Sequence, residues 1–341
     1  MKPRWMAACA VVVVFGLLSG CAEGAPEIQA DSEGANPPPV VEAVQITRIL
    51  AAIGTDLTDS AEASSVEAAT RLGGAALKIR TAEFAIQEAY PDYKVNELGT
   101  EFSDLGAVAQ SRDWPRSFVV ATEPAEAQAR FLYQLTQADP RSDYKLVAFA
   151  RMLAGAVVPR TYPPENGSAV VAPAAEGLAI SPYEALAAYA RAKEEPRGED
   201  AELFDTKMIE KDEPDRDPVR QAWTATKAAI GQELDKLDGK LVAESVPDES
   251  FAIMALATSD MGAVVFGQVR STIDIKITLP EGGTFSIGGM YKGLGGASKV
   301  TESVHLEYLQ TVVLGIGPKV ANAGPIQVLA VSTAPVVAEV K

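Results

Sequence analysis

Histidine and cysteine are almost missing from this 341-residue chain: one histidine, His305, and two cysteines, Cys9 and Cys21. So small a set excludes the usual zinc sites, which draw several ligands from those residues. It also leaves any histidine-dependent mechanism to His305 alone. Basic residues are short as well, with 30 Lys and Arg against 46 Asp and Glu and a net charge of −16. That balance argues against nucleic acid, whose binding rests on neutralised phosphates, and against direct contact with anionic lipid headgroups. The apolar run at the N-terminus, Met6 to Leu18, is too short to span a bilayer: as a helix it reaches about 20 Å against a hydrocarbon core of roughly 30 Å.

What is present at the N-terminus has a different layout. Lys2 and Arg4 precede the apolar run and Leu18-Ser19-Gly20-Cys21 closes it, which reads as a signal peptide over residues 1–20. The Leu-Ser-Gly-Cys run resembles the bacterial lipobox, in which the cysteine thiol is acylated before cleavage on its amino side. The resemblance implies that Cys21 is the lipid attachment site (diacylglycerol, with palmitate-type chains). It also implies a mature chain that begins there, held on the extracytoplasmic face of the cell membrane. An anchor of two or three chains is effectively stable, since each buried methylene contributes ~0.8 kcal/mol. On this expectation Cys9 is removed, so the mature chain has no disulfide and no cysteine-based metal site. Loss of Lys2 and Arg4 leaves 28 bases against 46 acids, a net charge of −18. The roughly 320 residues that remain are enough for two domains with cores of their own.

Residues 21–39 are rich in Ala, Glu, Gly and Pro and end in Pro37-Pro38-Pro39, which predicts a flexible tether. From Val40 the pattern turns helical: Val44, Ile46, Ile49, Leu50 and Ile53, then a second helix over 60–72 capped by Ser60, then a third over 75–90 stopped by Pro91. Strands are expected over 117–122, 130–136 and 144–153, the last two joined by a turn at 140–143. Residues 159–173 are Pro- and Gly-rich and read as a linker. The second half repeats the order. Ser181 caps a helix with Pro182 in its first turn, and another helix covers 217–237. Strands follow over 241–246, 251–257, 263–278, 302–316 and 326–337. In the longest, Val265, Val269, Ile273, Ile275 and Ile277 alternate with Gln268, Arg270, Thr272, Asp274 and Lys276, an antiparallel strand with one wet face. The expected fold is α+β in two domains, 40–158 and 178–341 with a linker at 159–177. Each domain packs N-terminal helices on a curved antiparallel sheet, an order similar to NTF2-like or cystatin-like folds.

Three stretches, Asp113-Trp114-Pro115-Arg116-Ser117-Phe118, Pro140-Arg141-Ser142-Asp143-Tyr144-Lys145-Leu146 and Ser181-Pro182-Tyr183-Glu184-Ala185-Leu186, resemble a family of actinobacterial secreted lipoproteins of unknown function. The resemblance runs from about Val40 to Pro335. It implies the lipoprotein location and the fold, and it carries no catalytic residue.

No catalytic, cofactor or metal site is expected. His305 and Glu307 project from the same strand face about 7 Å apart, with Ser303 beside them, and this reads as a solvent-facing histidine without a held nucleophile. Residues 194–217 are acidic. Asp212 to Asp217 lack the spaced acids and glycine of a calcium loop, so they read as a solvated loop. Residues 282–296 hold seven glycines around Met290-Tyr291-Lys292, without the Gly-Lys-Ser or Gly-Lys-Thr of a phosphate loop. They read as a mobile hairpin connection whose Phe285, Ile287, Met290, Tyr291 and Leu294 are candidates to cover a pocket mouth. Asn166-Gly167-Ser168 matches a glycosylation acceptor, a common triplet. The function expected is a non-enzymatic binding or scaffolding module in the cell envelope, with an envelope protein or a hydrophobic ligand as partner. Its rivals are a carrier of a lipid or hydrophobic small molecule in a sheet cavity and an envelope hydrolase built on paired carboxylates.

Overall fold

Spacing of apolar residues sets the first helix. Ile46, Ile49, Leu50, Ile53 and Leu57 fall on one side of α1 (Ala43–Ala63) and pack on the core. A capping box between Glu42 and Gln45 starts it. The computed structural model describes residues 36–124, 130–206, 217–235, 238–280, 283–295, 297, 299–321 and 323–341. Ser60 does not cap a separate helix as expected. It lies inside α1, where its buried hydroxyl donates to Leu57 O at 3.0 Å, and the helix ends at Ser64 in the left-handed region. The second helix, α2 (Gly74–Ala89), matches the pattern that Pro91 stops.

Four strands follow: β1 (Phe102–Gln110), β2 (Arg116–Thr122), β3 (Phe131–Gln137) and β4 (Lys145–Met152). They form an antiparallel meander, each strand beside the next. The expected strands match β2 to β4; β1 had no sequence signal, because Gly106 and its small neighbours break the alternation, and its register shifts between Phe102 and Gly106. A two-residue strand, β5 (Ser168–Ala169), runs parallel to β1. The second half gives α3 (Pro182–Glu194), α4 (Pro218–Leu234), β6 (Asp238–Pro247), β7 (Met254–Ala257), β8 (Ala263–Thr278), a small pair β9 (Phe285–Ser286) and β10 (Lys299–Val300), β11 (Ser303–Ile316) and β12 (Gln327–Val340). Strands β6, β8, β11 and β12 form a second antiparallel meander.

The two meanders are not two sheets. β4 pairs with β12 through Arg151 and Met152, so one sheet runs β5-β1-β2-β3-β4-β12-β11-β8-β6, with β7 also beside β8. The segment expected as a linker is part of this sheet. Beyond β5, Val170 bridges Leu256 of β7, and Val171 N donates to Ala255 O at 2.9 Å. Pairing thus passes from β8 through β7 and residues 168–171 back to β1 and closes a ring. Residues 37–341 form one compact unit, which replaces the expected division at 159–177. The end of the expected tether is pinned as well: Val40 N donates to Ala109 O at 2.9 Å, and Pro39 bridges Gln110. The fold is therefore α+β with one large, antiparallel-rich sheet and few helices.

Alternation along β8 decides what each face meets. Val264 and Phe266 join the cluster of β1–β4, while Val265 and Val269 pack under α3 and Ile273, Ile275 and Ile277 lie with Trp223 of α4. Across the ring, Ala107, Val119, Leu132, Leu256 and Val264 leave a void of about 10 Å³, the size of one water at most. At this point the core is filled among the described residues, so the sheet cavity invoked by the rival carrier reading is not found there.

Candidate functional site

A wide opening lies outside the ring, between α1 and the outer face of β1 and β2. It has a volume of about 950 Å³, within the usual range for a small-molecule site. Its floor is apolar: Leu50 from α1, Val108 from β1, and Phe118 and Val120 from β2, all buried. The wall on α1 is made of small residues at near four-residue steps, Ala43, Thr47, Ala51, Thr55 and Thr58. Residues from Ala43 to Asp59 line the opening, so it follows about 24 Å of helix. These small side chains are exposed and leave the space beside the docked stripe of α1 unfilled. The lining also includes Thr58 and Asp59 from the C-terminal part of α1 and Thr100 and Glu101 just before β1.

A second feature is buried and polar, and it lies under α4. Lys193 is 1 % exposed. Its Nζ donates to Ser271 Oγ at 2.7 Å and Gln310 Oε1 at 3.1 Å, and it sits 4.3 Å over the Trp223 ring. Burial lowers its pKa to about 7, against the pull of the Glu194 and Asp217 carboxylates. Ser271 Oγ pairs with Ser245 Oγ at 2.7 Å, and Ser245 donates to Glu194 Oε1 at 2.5 Å. Glu194 also receives Trp223 Nε1 at 3.0 Å and Lys227 Nζ at 2.6 Å. In the other direction Gln310 donates to Tyr189 OH, which donates to Asp217. Asp217 caps α4 through the backbone N–H groups of Val219 and Arg220. A continuous chain of hydrogen bonds thus ties α3, α4, β6, β8 and β11 together. Lys193 and Ser271 are within the reach a base and a nucleophile need, yet both are buried beneath α4. The arrangement holds a helix layer in place.

The residues singled out from sequence fall elsewhere. Cys21, with the signal peptide and most of the tether, lies outside the described residues, as does Asp212 to Arg216 of the acidic loop. His305 and Glu307 share a strand face but serve different partners: His305 Nδ1 is 2.8 Å from Asp274 Oδ1 on β8, and Glu307 accepts from Lys78 of α2 at 2.9 Å. The acidic stretch is ordered at its ends, by Glu194 as above and by Asp200, which Arg191 contacts at 2.8 Å. The expected glycine-rich cover is corrected. Its described part forms β9, β10 and a 3-10 turn (Gly289–Leu294) packed against α2, so closely that a Cβ on Gly293 would come within 2.1 Å of Ala85 O. Tyr291 OH meets Tyr308 OH at 2.6 Å, and Ile287 is buried. This stretch closes the α4 side of the core and lines no part of the groove along α1. Ser168 of the glycosylation triplet is buried in β5.

Sequence reading missed both features. The lysine had a signal: Leu186, Tyr189 and Lys193 share one helical stripe, which puts a charge where core residues belong. The groove had none, because Ala and Thr are unremarkable on a helix surface. Among the described residues no three His, Cys, Asp or Glu side chains are grouped to hold a metal, and no helix is long and apolar enough to cross a membrane. No protein-family model matches the chain, and neither does any curated protein or solved structure.

Proposed function

We propose that this protein is a non-enzymatic binding module of the cell envelope, tethered through Cys21 on the extracytoplasmic face of the membrane, with the groove along α1 as its binding site. The observation that carries the reading is the 950 Å³ groove, with its buried apolar floor and its open side. The Leu-Ser-Gly-Cys run supports the tether, and the 15 residues from Ala22 to Asn36 give it reach. A second reading, the carrier of a hydrophobic small molecule, gains from the same groove, now on the outer face of the sheet. The likeness of each half to NTF2-like or cystatin-like folds rests on element order alone.

Two measurements test the proposal. Cys21→Ala should move the protein out of the membrane fraction or leave an uncleaved precursor; normal processing with firm membrane association would overturn the tether. A naphthylamine probe should brighten on binding the purified protein and lose that signal in Ala51→Trp, which fills the groove from an exposed position. Equal brightening in both proteins would overturn the groove as the binding site.

A further inference from the structure

The polar atoms of the groove narrow the ligand, on the reading that the groove is the binding site. Its side-chain hydrogen-bond donors are hydroxyls alone: no Lys, Arg, His, Asn, Gln, Tyr or Trp lines it among the described residues. Four of its five hydroxyls point their protons at backbone carbonyls. Thr47 donates to Ala43 O at 3.4 Å, Thr55 to Ala51 O at 3.1 Å, Thr58 to Gly54 O at 3.0 Å and Ser103 to Ala121 O at 3.2 Å. Each hydroxyl has one proton to give, so while these bonds hold the four offer the groove lone pairs. Asp59, late in α1, and Glu101, just before β1, are both exposed and are acceptors as well. Their sequence neighbours Thr58 and Thr100 also line the groove; the Thr100 carbonyl lies 3.5 Å from where a Cβ on Gly54 would stand, one turn before Thr58.

We infer that the groove takes an amphiphile with a single aliphatic chain and a hydrogen-bond-donating head, an amine or a hydroxyl, with the head at Asp59 and Glu101. The chain lies on Leu50, Val108, Phe118 and Val120 and points toward Ala43. A carboxylate or phosphate head is disfavoured, because it brings acceptors and negative charge to side-chain atoms that are already acceptors beside two acids. Unmatched polar groups lose affinity steeply when they leave water, so head chemistry decides among ligands whose chains are equal.

The test uses the purified full chain carrying Cys21→Ala, so that no covalent acyl group competes. Dodecylamine, dodecanol and dodecanoate displace a naphthylamine probe at pH 7.5. The amine and the alcohol should each displace it at concentrations at least tenfold below the carboxylate. An amine stronger than the alcohol assigns the preference to charge, and equal potency assigns it to hydrogen bonding. The double variant Asp59→Asn with Glu101→Gln should cut any advantage of amine over alcohol and leave the alcohol unchanged. Both residues are exposed, so the substitutions leave the packing alone. If dodecanoate matches or beats the other two while Ala51→Trp still abolishes probe binding, the head assignment is wrong and the groove stands. If Ala51→Trp changes nothing, the groove reading fails and this inference with it.

Discussion

The two halves of the chain lay down helices and strands in the same order, yet their first helices meet the sheet in opposite ways. α3 buries nine of its thirteen residues, and α1 buries five of twenty-one. α3 is rich in alanine on every side, and its Leu186 reaches so close to β8 that a Cβ on Gly267 would come within 2.5 Å of it. α1 buries one stripe, Leu50, Ile53 and Leu57, and turns its small residues to open space. An apolar stripe tells that a helix docks. The size of the residues beside the stripe decides whether it docks flush or leaves a groove.

The polar groups beneath the helices sharpen the comparison, since the first layer buries one cation, Arg80, and the second buries two, Lys193 and Arg220. In the first half Arg80, 2 % exposed, donates to Glu83 Oε2 and to Asn96 O, both at 2.8 Å. Burial pushes the Glu83 carboxyl up despite the Arg80 charge beside it. In the second half Lys193 has hydroxyl and amide partners. The largest effect is expected where a charge loses its ionic partner. Arg80→Met should cost about 3–5 kcal/mol in urea unfolding, because Glu83 is left buried and uncompensated. Adding Glu83→Leu should recover most of that loss. A single variant within about 1 kcal/mol of wild type would show that the pair is not coupled as its geometry implies.

Lys193 should behave differently, with a pH dependence of known sign. Folding holds it at a pKa of about 7, whereas an unfolded lysine titrates near 10.4. Between those values the unfolded chain binds more protons, so wild-type stability rises with pH across that window. Below pH 7 the burial cost is fully present. Lys193→Met removes the term. Its stability relative to wild type should be greatest at pH 6.5 and fall by on the order of 2 kcal/mol or more by pH 10, as each pKa unit is worth ~1.4 kcal/mol. Trp223, against which the lysine packs, supplies a fluorescence readout. A difference that stays flat between the two pH values would mean that Lys193 is charged in the fold throughout.

Much of the fold was legible, and the reasons differ by element. β8 matched its expected range because period-two alternation marks its second part, from Val269 to Thr278, and an apolar run precedes it. α3 was marked by Ser181, whose side chain caps it as expected, and α4 begins near its expected start, where the Asp217 side chain proves to be the cap. The joining of β4 to β12 was not legible, since strand pairing across 180 residues leaves no local pattern. Nor was the role of residues 168–171, where Pro and Gly suggested a linker while two short pairings close the ring. The groove was invisible for a related reason: it is defined by space between elements, and no single residue type announces it.

The smallest effect is expected where sequence drew the eye first. His305 sits on the stretch of β8 and β11 that turns away from α3 and α4, paired across the strands with Asp274, and its side chain is 36 % exposed. An exposed contact of this kind contributes little, because water competes for it and two side chains must be held in one geometry to form it. On the opposite face of the same strands, Ile273 and Val304 are buried under the α4 layer. His305→Ala should therefore stay within about 0.5 kcal/mol of wild type in urea unfolding and leave probe binding in the α1 groove intact. A properly folded His305→Ala protein that loses its cellular function would move the working surface from the first helix layer to this open strand face. The contrast between the halves would then reverse, with the second half doing the binding and the first serving as its support.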